Sequence, residues 1–134
     1  MKYNGIIENK LPIIEEKIGI IENWKIKSFR DLQDNSMLQL AVERALQLAV
    51  KAMIYVAERI VALNKIPPQK SSALNLNKLQ ELNILGNAAD YTDMIRFRNF
   101  IVHRYENIDL EIIFNIISTK LVLFDQFVDE IRNT

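Results

Sequence analysis

Apolar residues recur at helical spacing along nearly the whole chain. Ile7, Leu11, Ile14, Ile18 and Ile21 follow one another at intervals of four and three, drawing one stripe down a first helix over residues 4–25. Glu15, Glu16, Lys17 and Glu22 occupy its other faces. Either this helix begins near Asn9, with Pro12 in its first turn, or it kinks at Pro12. Residues 25–35 form a polar connection with room for a helical turn around Phe29 to Leu32. Ser36 to Gln39 then has the form of a capping box, serine at the cap and glutamine three later. From there to Asn64 the pattern predicts one long helix. Its stripe is Leu38, Ala41, Ala45, Leu48, Ala52, Val56 and Ile60, widened by Leu40, Ala49, Met53, Ala57 and Leu63. A helix apolar over so wide an arc belongs at the centre of a fold.

Pro67-Pro68 predicts the stop of that helix. Ser71 and Ser72 open a shorter helix carrying Leu74, Leu76, Leu79 and Leu82, and Gly86 marks a break before the next. A fourth helix runs from about Asn87 to about Arg104. After a turn at Glu106-Asn107-Ile108, Asp109 caps a last helix on which Ile113, Ile116, Ile117, Leu121, Phe124 and Val128 keep the period. No stretch alternates as a strand would. The prediction is an all-α, up-and-down bundle of four to five helices in one domain over residues 1–134.

Composition narrows what such a bundle can do. Lys and Arg together number 17, as do Asp and Glu, so no global positive field gathers nucleic acid, and any RNA site must be a local concentration of arginine. Cysteine is absent, which removes disulfides and thiolate chemistry. With one histidine, a structural zinc site would rest almost wholly on carboxylates, which such sites rarely use, and no metal site or cofactor is expected. No apolar run approaches the ~20 residues of a membrane span. The start of the chain lacks a basic-then-apolar signal pattern, so a cytoplasmic location is expected.

One stretch departs from plain helix-building. Arg96-Phe97-Arg98-Asn99-Phe100-Ile101-Val102-His103-Arg104-Tyr105 holds the sole histidine among three arginines. At about 100° per residue, Tyr91, Ile95, Arg98, Val102 and Tyr105 share one stripe, so Arg98 occupies an otherwise buried position, where a guanidinium needs partners. His103 lies about 140° around the helix from Arg98. One regular helix cannot aim both side chains at the same phosphate, so the helix end is distorted or a second chain completes the site across a two-fold axis. Arginine, histidine and asparagine suffice for metal-independent RNA cleavage. Histidine can take the 2′-OH proton or protonate the leaving 5′-oxygen, and arginine can hold the phosphate and its developing charge. No acidic cluster suits a two-magnesium route. The plainer alternative is a histidine that satisfies a carbonyl or the helix dipole beside a solvated arginine face.

The segment Arg98-Asn99, three apolar residues, His103-x-Tyr105 and the following Ile108-Asp109 resembles the motif of HepT-type HEPN toxins. Glu43 to Val50 is similar to that family's long central helix, and the resemblance covers nearly the whole chain. It implies a homodimeric toxin of a type II-like toxin–antitoxin system, an endoribonuclease acting at a cleft shared by two protomers. Arg98 would bind phosphate, His103 would serve as general acid and base, and Asn99 would support the site by hydrogen bonding. Tyr105 would be the residue onto which a partner nucleotidyltransferase antitoxin of the MNT type transfers AMP, silencing the toxin. Arg96 and Arg104 are not required by the pattern and are read as additional RNA-backbone contacts. Where the family's central helix often carries acidic residues, this chain has Lys51 and Tyr55, a departure that bears on the dimer surface or the antitoxin contact. A different class of function, a non-catalytic HEPN module that binds a nucleotide or the nucleotidyltransferase, fits the same composition.

Overall fold

The computed structural model describes residues 5–102 and 109–134, the side chains of 99–102 excepted. Every regular element among them is helical: α1 (Gly5–Asn23), α2 (Phe29–Gln33), α3 (Ser36–Leu63), α4 (Ser72–Glu81), a 3₁₀ turn (Ala88–Tyr91), α5 (Thr92–Val102), α6 (Leu110–Thr119) and α7 (Leu121–Arg132). The all-α expectation holds. The count of four to five helices is exceeded because α2 is a helix of its own and the last helix is divided.

Local chemistry sets these boundaries. The first helix starts at Gly5, so Pro12 lies inside it and not in its first turn. Pro12 is exposed, which leaves the Glu8 carbonyl, deprived of its usual donor, on the water side. Ser28 and Asp31 form the capping box of α2. The cap of α3 is Asn35, one residue before the serine expected there, its Oδ1 accepting from the Leu38 N–H at 3.0 Å. Gln39 does not close a capping box. Its amide donates to the Leu32 and Gln33 carbonyls at 3.0 and 3.1 Å, tying α3 to α2.

Two helices stop before the residues predicted to stop them. Lys65 takes a left-handed φ of 60° after Asn64, and the Lys65 and Ile66 N–H groups donate back to the Ala62 and Val61 carbonyls. This Schellman-type ending closes α3 ahead of Pro67-Pro68. Asn83, with φ 61°, closes α4 in the same way, and Gly86 plays no such part; its N–H instead donates to Glu130 Oε2 at 2.8 Å. The last helix breaks at Lys120. There the Ser118 and Thr119 hydroxyls donate to the Phe114 and Asn115 carbonyls, competing with the backbone ladder.

The central position expected for α3 holds: it packs against α1, α2, α4 and α5. Of the predicted stripe Ala45, Ala52, Val56 and Ile60 are buried, with Ala49, Met53 and Ala57 beside them. Val42, Leu46, Val50 and Val61 are buried as well, whereas Leu40, one of the widening positions, is 64% exposed. The predicted α1 stripe of Ile7, Leu11, Ile14, Ile18 and Ile21 is buried to the residue. None of the described helices is long and apolar enough to cross a membrane.

The entry to α5 is fixed from the opposite end of the chain. Tyr91 is fully buried, its ring edge-on to Phe127 at 5.3 Å between centroids. Its hydroxyl donates to Glu130 Oε1 at 2.9 Å and accepts from Gln126 Nε2 at 3.0 Å; Gln126 also donates to Asp90 Oδ2. Burial holds the phenol neutral well above the usual tyrosine range, and the Glu130 carboxylate adds to that. Met94, Ile95 and Phe97, buried on α5, carry the anchoring onward to Arg98.

Candidate active site

Arg98 is half-buried on α5, as its place on the Tyr91–Ile95 stripe requires. It borders a cleft of 340 Å³ whose other walls come from α1 and α3. Ile13, Leu48, Ala52 and Ile54 give the cleft an apolar lining, while Lys10, Lys51, Tyr55 and Glu58 bring polar groups to it. The Lys10 ammonium stands 5.0 Å from the centre of the Tyr55 ring, a cation–π contact. Arg98 makes no ion pair with any described residue. Three cations thus face one carboxylate, a local positive excess on a chain of zero net charge.

Arg96 goes elsewhere. Two residues apart on a helix means about 200° of rotation, and Arg96 borders a separate cavity of 430 Å³ between α5 and α6. There Asp93 accepts from Lys120 Nζ at 2.7 Å and pairs with Arg96 Nη1 at 3.6 Å. The hydrogen bond from Lys120 holds the Asp93 carboxyl below the usual carboxylate range, with the Lys120 and Arg96 charges adding to the effect. Asp109 and Glu111 line the same cavity, so its three carboxylates make it the poorer of the two for an anionic polymer. The larger cavity is therefore not the one that suits the motif chemistry.

Of the residues singled out in the sequence, Arg98 and Arg96 are described in full, and they lie on different faces. The Asn99 side chain, and His103, Arg104 and Tyr105 entirely, lie outside the described residues. Lys10 was not singled out by the sequence reading, and Lys51 and Tyr55 stood only as departures from a family pattern. Their signal was present: Lys51, Tyr55 and Glu58 are polar positions on one arc of α3, at intervals of four and three. Nothing in the spacing could bring Lys10, on another helix, to the same place.

Comparison with known proteins bears on this site. A family model described as Ribonuclease HepT-like matches residues 14–131. The mRNA nuclease HepT of Shewanella oneidensis is 28% identical over 131 residues, covering 96% of this chain and 98% of that protein. The solved structure of the tri-AMPylated Shewanella oneidensis HEPN toxin in complex with MNT antitoxin superposes with a TM-score of 0.88 at 27% identity, covering 98% of this chain and all of that one. A crystal structure of a toxin–antitoxin with AMP-PNP superposes equally well at 26% identity, with the same coverage. The Bacillus subtilis cytosolic protein YutE, 14% identical with a TM-score of 0.83, shares the fold. With its family model spanning all but the two ends, and its helices superposing on those of HEPN toxins, the chain belongs to the Ribonuclease HepT-like family.

Proposed function

We propose that the protein is the ribonuclease toxin of a toxin–antitoxin pair, cutting RNA by a metal-independent route at Arg98 and His103. The observation that supports this most is the Arg98 cleft: a half-buried guanidinium without a described carboxylate partner, in a chain of the Ribonuclease HepT-like family. A guanidinium so placed can give two N–H donors to a phosphate and stabilise the charge that builds on it. His103 supplies proton transfer. The ribose 2′-oxygen attacks phosphorus as its proton leaves, and the 5′-oxygen departs as it gains one, leaving a 2′,3′-cyclic phosphate and a 5′-hydroxyl. Such a reaction uses a base and an acid, and each chain has one histidine. A two-fold homodimer brings a second, which supports a cleft shared between protomers. Asn99 assists by hydrogen bonding, and Arg96 and Arg104 are the further backbone contacts in this reading, Arg96 from the flank where Asp93 holds it.

Control falls to Tyr105, seven residues beyond Arg98 in the sequence. An MNT-type nucleotidyltransferase would transfer AMP from ATP to its hydroxyl, releasing pyrophosphate. The attached phosphate would then compete with RNA for Arg98. RNA and ATP make the cytoplasm the place of action. The test is intact-protein mass spectrometry of the chain with the candidate antitoxin and ATP, beside RNA cleavage by the same samples. Adenylate mass mapped to Tyr105, with cleavage by the unmodified chain and loss on His103→Ala, is expected. Intact RNA with unmodified protein, alongside tight nucleotide binding, would replace this reading with a non-catalytic binding module.

A further inference from the structure

We propose that Tyr55, Lys51 and Lys10 form a nucleotide subsite beside Arg98, which takes the base and phosphate of the nucleotide next to the bond being cut. The proposal rests on the RNA reading of the Arg98 cleft and names how single-stranded RNA would be held there. Tyr55 keeps 38% of its surface exposed in a cleft whose apolar wall is made by Ile13, Leu48, Ala52 and Ile54. An accessible aromatic ring at an apolar wall suits a stacked base, and stacking tolerates any base because each has a π-face. The Lys10 ammonium stands over the ring, 5.0 Å from its centre, so a stacking base displaces it from that face toward the nucleotide's phosphate. Lys51 lies one turn from Tyr55 on α3, is exposed, and makes no ion pair with a described residue. Ring and cations in one groove are the two elements by which proteins hold single strands.

The charge pattern also gives the strand a direction. Glu58 borders the cleft on the side of Tyr55 away from Lys51. A phosphate backbone passing Arg98 is repelled at Glu58 and drawn toward Lys51, so the strand follows α3 toward its N-terminal half. Three cations against one carboxylate favour a polyanion over a protein partner as the occupant.

The experiment measures binding of a short fluorescent single-stranded 2′-O-methyl RNA to the full chain with Tyr105 unmodified. This RNA lacks the 2′-hydroxyl nucleophile and so reports binding alone. Tyr55→Ala is expected to weaken binding by about tenfold, with Tyr55→Phe restoring it. Lys51→Ala should lower the slope of log K against log salt by about 0.7, the contribution of one phosphate contact in a single strand. Glu58→Gln should tighten binding at low salt, a change opposite in sign that a mere folding defect would not give. Cleavage of ordinary RNA by the unaltered chain, with binding unchanged in Tyr55→Ala, Lys51→Ala and Glu58→Gln, would overturn the subsite and leave the ribonuclease reading standing. No cleavage, with these binding changes present, would do the reverse. No binding by any form, or loss only of nucleotidyltransferase binding in the variants, would overturn the subsite.

Discussion

Tyr91 sits where the end of the chain grips the start of α5, and its substitution separates anchoring from chemistry. Tyr91→Phe keeps the ring contact with Phe127 and removes two hydrogen bonds, leaving Glu130 and Gln126 short of a partner. A loss of about 1–2 kcal/mol in urea unfolding is expected. The phenol's ionisation is pushed upward by folding. Its contribution is therefore complete below the ordinary tyrosine value of ~10 and is lost as pH rises beyond it. Tyr91→Phe should flatten that alkaline fall in stability. Asp93 has the opposite sign: its carboxyl is held low by Lys120, so its contribution is present above about pH 4 and disappears as pH falls further. Asp93→Asn should flatten the acid limb in a pH series of thermal unfolding. Arg98 was legible as a misplaced cation because its stripe neighbours Tyr91 and Ile95 are apolar. The Tyr91 network was not, since Glu130 and Gln126 lie more than thirty residues away and polar positions on a surface helix carry no mark of their partner.

Helix positions were largely legible, and helix boundaries and facing less so. The α1 stripe is buried as its spacing predicts, because few apolar residues there compete for the inward side. In α3 nearly every arc carries apolar residues, so periodicity alone could not choose among them. Packing against α1, α4 and α5 decides it, burying Met53 completely and leaving Leu40 largely in water. Met53→Ala should cost about 2–5 kcal/mol, a cavity in the core. Leu40→Ala should stay within about 0.5 kcal/mol. Equal losses at the two sites in chemical denaturation would mean that α3 is turned differently. The long helix ends at Asn64 as its pattern predicts, but the cause of that stop and of the one after α4 was misread, because proline and glycine are conspicuous, whereas Lys65 and Asn83 take left-handed conformations that the pattern does not announce.

For the molecule as a whole, α1, α3 and α5 do more than enclose a core: their polar margins meet at the Arg98 cleft. Zero net charge makes that meeting informative, because the positive excess there is local and owes nothing to a generally basic surface. In the proposed reading, family membership gives the cleft its chemistry, and the single histidine gives a reason for pairing two protomers. The most direct measurement is a time course of RNA cleavage, with a metal chelator present, by the unmodified chain and by Arg98→Ala. The account predicts cleavage by the unaltered chain and a loss of about a hundredfold or more in Arg98→Ala, with its fold unchanged by circular dichroism. Equal cleavage by both would contradict it, as would RNA left intact by the unaltered protein.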